Sequence, residues 1–315
     1  MPPEIVGENG CSEARLQLKR PKCSIVLATF DRAHLLKRSL ECYSRQSFPV
    51  EQLELVVIDD HSTDDTRTVV LDWAHECNVS CQVLTVGPKH EKWRDAGAIL
   101  NYGIRAALGE HIVLTHPEVM PGRHSVLNLV TKLESFEHER ITGGQGEEVG
   151  NSPGLYAACK VYYLSRSEQD RIDSVDWQNE GAFAVRKMPG FYEYDSNGHP
   201  DYRHTTTDKI ATPGYRLQTW DSWVFAGCSR ETWRRLGGMW TTSKWGSVDV
   251  AFNDRRKQTG MAEWTSSDDE SIVVHQNHDG EIDVPTPRIE QAWKTELNGM
   301  DVGKLVYPEV DELVW

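Results

Sequence analysis

A chain of 315 residues with 38% hydrophobic content can bury a sizeable core, in one large domain or two closely packed halves. Its formal net charge of −14 argues against a nucleic-acid partner, although acidic groups can still meet phosphates through a bridging divalent cation. No apolar run is long enough to cross a bilayer, residues 1–10 lack a signal-peptide pattern, and seven scattered cysteines suit reduced thiols, so a cytoplasmic protein is expected.

In chain order, residues 1–22 read as a polar lead-in. Cys23–Thr29 is a short apolar run that breaks off at Phe30-Asp31-Arg32, and the spacing of Leu36, Leu40 and Tyr43 predicts a helix over 32–46. After Pro49, Leu53–Ile58 forms a second run and ends at Asp59-Asp60. Such runs read as strands of a parallel sheet covered on both faces, whose carboxyl ends are where open α/β folds bind ligands. His61–Asp65 reads as a helix start, with a hydroxyl cap and first-turn carboxylates. Residues 82–86 give a third strand, 94–108 a helix stopped by Gly109, and His111–Thr115 a fourth strand ending at His116-Pro117-Glu118. Alternating strands and helices with short joints predict an α/β fold with a mainly parallel central sheet and helices on both faces.

The second half is less regular. Residues 143–148 read as a joint, and 165–215 are polar with no element assigned. An apolar segment returns at 223–227 and leads into a helix over 229–236 that stops at Gly237-Gly238; another helix is expected near 290–297. The organisation expected is a nucleotide-binding half over 23–122, from the polar strand ends, and a second half over 123–280. The two form one continuous domain, followed by a tail over 281–315.

The run Ser24–Arg32, then Val56-Val57-Ile58-Asp59-Asp60-His61-Ser62-Thr63-Asp64-Asp65-Thr66, resembles the opening of family 2 glycosyltransferases of the GT-A fold. The similarity extends through Asn101–Ile104, Ala107–Ile112 and Arg234–Met239. It implies a nucleotide-diphospho-sugar donor, with a UDP-sugar favoured, and a hydroxyl acceptor of glycan, peptide or small-molecule type. Thr29 and Asp31 would line the nucleoside pocket beside Asp59, and Asp60 would accept a hydrogen bond from a uracil imide.

The family's Asp-x-Asp metal motif is altered here, where the sequence reads Leu114-Thr115-His116-Pro117-Glu118. His116 and Glu118 would then hold the divalent cation, Mn²⁺ or Mg²⁺, in the manner of an Asp-x-His variant completed by a late histidine. His275 and His278, after the β-like run at 273–274, are the late candidates, and Arg94 or Lys92 would neutralise the diphosphate if no metal did.

Inverting transfer needs a carboxylate to deprotonate the acceptor. Asp249, in Trp245-Gly246-Ser247-Val248-Asp249, aligns with the family's base, although Val248 replaces its glutamate neighbour. Trp245 is the candidate sugar platform, and Arg255 and Arg256 either pair with phosphates or decorate a helix. A retaining transferase of Asp-x-His type and a degenerate nucleotide-sugar-binding protein are the alternatives.

Overall fold

The computed structural model describes residues 5–6, 12–16, 21–86, 96–142, 152–164, 169–180, 224–239, 248–266 and 268–278. In chain order the elements are β1 (Ile5–Val6), β2 (Ser12–Leu16), β3 (Cys23–Thr29), α1 (Ala33–Tyr43), β4 (Leu53–Asp59), α2 (Thr66–Cys77) and β5 (Ser80–Thr85). Next come α3 (Ala96–Ala106), β6 (His111–Thr115), β7 (Val119–Met120), α4 (Ser125–Thr142), β8 (Leu155–Ala158) and β9 (Val161–Tyr163). The series closes with α5 (Trp177–Glu180), β10 (Phe225–Ser229), α6 (Arg230–Leu236), α7 (Val248–Gln258), β11 (Ala262–Thr265) and β12 (Val273–His275).

Nine strands form the main sheet in the order β1-β2-β5-β4-β3-β6-β10-β8-β11. Its centre, β5-β4-β3-β6, is parallel throughout. β4 and β5 lie to one side of β3, whereas β6 lies to the other, so the winding reverses between β3 and β6. That reversal is the topological switch point, where adjacent loops diverge and leave a crevice at the carboxyl ends of the strands.

The apolar runs are continuous because both sheet faces are covered. Ile25, Leu27, Leu55 and Val57 pack into a core with Leu36, Leu40, Val70 and Phe136. Val26, Val56 and Ile58 face the other way, toward Ile99, Leu100, Ile104, Trp233 and Phe252. Helix α3 lies so close to the sheet that a Cβ on Gly103 would collide with the Ile58 and Val26 side chains. A glycine is required there by space rather than by backbone angle.

A three-stranded sheet, β7-β12-β9, covers the crevice side. Its small core of Met120, Leu164, Ile172, Trp177, Ile272 and Val274 meets Cys42 of α1. Arg38 of α1 adds a two-pronged hydrogen bond to Asp173, with both oxygens at 3.0 Å.

Several expectations change. Residues 12–16 of the expected lead-in are a strand paired antiparallel with β5. The loop over 61–65 is no hydroxyl-capped helix start: α2 begins at Thr66, without a side-chain cap from Asp65 or acidic residues in its first turn. Ser62 and Asp64 instead accept hydrogen bonds from the backbone N–H groups of Asp31 and Ala33, at 3.0 and 2.9 Å, tying the loop after β4 to the loop after β3. β8, β9 and β11 occur where the sequence suggested no strands. Arg256 neither reaches for phosphate nor decorates a surface; it is fully buried, ion-paired with Glu263 and stacked 4.1 Å over Tyr156. The joint at 143–148 and the helix near 290–297 lie outside the described residues.

Candidate functional site

β3 and β4 end in register, with Thr29 opposite Asp59. The Asp60 N–H donates to the Thr29 carbonyl at 2.8 Å, which carries the pairing one residue past the strands. Thr29, Asp59 and Asp60 are all buried. Asp59 Oδ1 accepts from the Ser62 N–H at 2.9 Å, so Asp59 shapes the loop. The Thr29 hydroxyl is buried without a hydrogen-bond partner among the described residues, a polar atom left over at the expected nucleoside pocket. Asp31 takes a left-handed backbone (φ 50°), and its Oδ1 accepts the Thr63 N–H at 2.6 Å. Its carboxylate is therefore committed to loop shape, a role the sequence did not suggest.

One strand away, β6 delivers His116 and Glu118 to the same edge. β12 pairs antiparallel with β7, setting His275 opposite Val119. This register brings four residues widely separated in sequence to one point. Glu118 Oε1 lies 3.2 Å from His275 Nε2, 3.1 Å from His278 Nε2 and 3.7 Å from His116 Nδ1. The ligating atoms of His116, Glu118 and His275 lie within 4.8 Å of one another. The rings follow suit, with His275 centred 5.9 Å from His116 and 5.5 Å from His278.

The electrostatics follow from burial and crowding. Burial, reinforced by His275, His278 and Arg32, pushes the His116 imidazole down to about 4, against an opposing pull from Glu118. His116 is therefore a neutral imidazole at ordinary pH, the form that donates a lone pair. Burial would raise the Glu118 carboxyl, but hydrogen bonds from His275 and His278 and the nearness of His116 hold it well below the usual carboxylate range. A carboxylate and imidazoles facing one point form a donor set suited to a divalent ion.

Two further residues shape this site and carried no assigned role in the sequence. Gln276, between the histidines, is fully buried; its side-chain amide donates to the carbonyls of Leu35 and Glu118, each at 3.1 Å. Arg32, just before α1, is close enough to His116 to disfavour a charge there. Its place directly after Asp31 at a strand end was the only signal for it.

Asp249 occupies the second position of α7, and residues Phe252, Asn253 and Arg256 further along that helix are buried. Arg94, Lys92 and Trp245 lie outside the described residues.

The family described as Glycosyl transferase family 2 matches residues 24–176, which span the strand ends, His116 and Glu118. Residues 24–176 form a family 2 glycosyltransferase domain. The fold of this chain is that of GT-A glycosyltransferases. A Staphylococcus aureus structure described as TarS 1-349 in complex with UDP-GlcNAc superposes with a TM-score of 0.53 at 14% identity, covering 82% of this chain and 60% of that one. A protein named probable glycosyltransferase YdaM, from Bacillus subtilis, is 24% identical over 174 residues, or 54% of this chain and 39% of its own length. The validoxylamine A glucosyltransferase of Streptomyces hygroscopicus subsp. jinggangensis is 50% identical over 50 residues, 16% of this chain and 12% of that protein. The chain thus spans well under half the length of these two curated relatives.

Proposed function

We propose that this protein transfers a sugar from a nucleoside-diphosphate sugar, with a uridine nucleotide favoured, to a hydroxyl acceptor, with inversion at the anomeric carbon. The observation that carries this reading is a single convergence: Thr29, Asp59 and Asp60 lie at the ends of β3 and β4, and the His116–Glu118–His275–His278 cluster lies across the switch point beside them. A pocket for a base next to a cluster for a charged diphosphate matches the two ends of such a donor.

In this reading Asp60 accepts the imide proton of uracil, and the leftover Thr29 hydroxyl supplies a second polar contact in the nucleoside pocket. Asp31 and Asp59 hold the loops that form the pocket walls. Arg32 brings positive charge beside His116, where the diphosphate would lie. Arg94 is a further cation for the nucleotide, and Trp245 a platform for a sugar face.

His116, Glu118, His275 and His278 are the residues that would hold a divalent cation; the mutual spacing of the first three fits one, and His278 stands against Glu118 beside them. When bound, such an ion would offset the charge that develops on the departing diphosphate. Asp249, in the first turn of α7, takes the proton from the acceptor hydroxyl as the new bond forms. The acceptor is a glycan, a peptide or a small molecule bearing that hydroxyl.

The test is release of nucleoside diphosphate from a panel of uridine, guanosine and thymidine sugars, with Mn²⁺, with Mg²⁺ and with chelator. Slow hydrolysis of the donor needs no acceptor. Release from one donor class supports the reading and names the nucleotide. If no donor is hydrolysed and calorimetry detects no nucleotide binding, the proposal fails.

A further inference from the structure

We infer that Arg256 is a positioning residue: its buried pair with Glu263 and its stack on Tyr156 fix helix α7 in one place over the sheet, and so set where Asp249 stands for the transfer step. This role rests on the reading of Asp249 given above and goes beyond it, to what holds that residue in place.

Topology brings α7 to the right edge. β10 runs antiparallel to β6, β8 antiparallel to β10, and β11 parallel to β8, so β8 and β11 point the same way as β3, β4 and β6. α7 reaches β11 through the short turn at residues 259–261, where Gly260 takes a left-handed φ of 71°. A helix joined to a strand by so short a turn runs back along it. The amino end of α7, with Asp249 as its second residue, therefore lies at the carboxyl edge that also carries Thr29, Asp60 and His116.

Arg256 lies two turns further along α7. Tyr156 of β8 and Glu263 of β11 are direct partners in the sheet, and Arg256 takes both, the ring by stacking at 4.1 Å and the carboxylate by an ion pair. Its Nη2 also donates to Asn253 Oδ1 at 2.9 Å, one turn back on the same helix. Phe252 adds apolar contact, stacked 5.2 Å from Trp233 and tilted 5.6 Å from Tyr156. Apolar contacts are non-directional and tolerate a small shift of the helix. A planar guanidinium bound to a ring face and a carboxylate has one geometry, which a slide or rotation of α7 would break.

Energetics lead to the same role. Arg256 and Glu263 are both buried, and taking such a pair out of water costs about as much as the pairing returns. Apolar replacement of both partners is commonly neutral or stabilising, so what the pair adds is orientation. Asp249 and Arg256 are about 10 Å apart along the helix axis. A tilt of about 10° at Arg256 then moves Asp249 by roughly 2 Å, and a misplacement of about 1 Å can cost roughly 100-fold in rate.

The experiment replaces both partners together, Arg256→Met with Glu263→Leu, so that no charge is left buried alone. Arg256→Lys, Asp249→Asn, and the pair replacement combined with Asp249→Asn are made beside it. Readouts are melting, UDP affinity by calorimetry, hydrogen exchange along α7, and hydrolysis of the uridine, guanosine and thymidine sugar panel with water as acceptor. Expected for the pair replacement are melting at or above wild type, unchanged UDP affinity and faster exchange over residues 248–252. Its kcat should fall by roughly 10–100-fold with donor KM within about twofold of wild type. Arg256→Lys, which keeps the charge without the planar fork, should fall between the two. In the Asp249→Asn background the pair replacement should cost nothing further, because it acts through that carboxylate. A pair replacement that melts well below wild type with kcat intact makes Arg256 a stability residue and overturns the inference. Unchanged exchange over 248–252, full kcat in Asp249→Asn, or a cost that persists in that background overturns it too, and each leaves the donor reading intact. A wild type that binds no UDP and hydrolyses no donor counts against the donor reading, and the exchange result then decides whether Arg256 pins α7.

Discussion

Gln276 donates twice to the carbonyl of Glu118, once from its backbone N–H and once from its side-chain amide, each at 3.1 Å. The same amide donates to Leu35 in α1. One buried side chain therefore holds the histidine-bearing strand to Glu118 and to the helix behind it. Gln276→Leu keeps the bulk and removes both side-chain bonds, while the residue-276 backbone N–H still reaches the Glu118 carbonyl, a loss of about 0.5–1.5 kcal/mol for each bond. The expected outcome is a lower urea midpoint together with weaker Mn²⁺ binding. Normal ion affinity in a destabilised variant would show that Gln276 supports the fold without positioning the cluster.

Asp60 and Asp59 stand next to each other but do different work. Asp59 accepts the Ser62 N–H, so Asp59→Ala should unsettle the loop and lower stability by about 1 kcal/mol. Asp60→Asn is expected to leave stability near wild type and to weaken UDP binding by roughly tenfold, about 1.4 kcal/mol. Calorimetric titration of UDP into both variants checks the division of roles.

Asp249→Asn should leave UDP and Mn²⁺ binding unchanged and lower the transfer rate by roughly 10²–10⁴-fold, as expected when a general base is removed. The measurement is kcat once an acceptor is found, with donor affinity as the control. A variant with full kcat would move the base to another residue.

Glu54 is buried at the opposite end of the sheet. It accepts from the Ser24 hydroxyl, from Gln82 Nε2 at 2.6 Å and from the Leu108 N–H at 2.7 Å, joining β3, β4, β5 and the turn before β6. Glu54→Leu leaves all three donors short of a partner and should cost roughly 3 kcal/mol or more. Nucleotide affinity of the folded fraction should not change. Denaturant unfolding and UDP titration test both halves of this expectation.

At the start of α4, His124 Nδ1 lies 3.0 Å from Asp268 Oδ2, its Nε2 lies 3.3 Å from Glu270, and Asn128 donates to Asp268 at 2.7 Å. Burial would raise the Asp268 carboxyl, yet bonds from the Glu270 N–H, His124 and Asn128 hold it below its ordinary value. A depressed carboxyl adds stability above its unfolded pKa, near 3.9, and loses it as pH falls through the folded value. Asp268→Asn should therefore be less stable than wild type at neutral pH, by at most about 1 kcal/mol after solvent screening, and the gap should close in acid. Melting from pH 7 to pH 3 reads the difference.

By itself the sequence determined the main strands and the first helix of the first half. β3, β4 and β6 are apolar runs whose ends are set by local polar residues, and α1 follows from its own hydrophobic spacing, so short-range chemistry suffices. It marked Asp59-Asp60 at a strand end, and it marked His116, Glu118, His275 and His278 as candidate ligands in an altered motif. It did not reveal β8, β9 or β11. Each is only three or four residues long and is held by partners remote in sequence rather than by its own pattern. Nor did it reveal that His278 meets Glu118 across 160 residues of chain, or that Gln276 is the buried tie between them. Those outcomes depend on the register of β12 against β7. Register is settled by the burial of Met120, Ile272 and Val274 in a shared core, an energy that exists only once the distant segments have met.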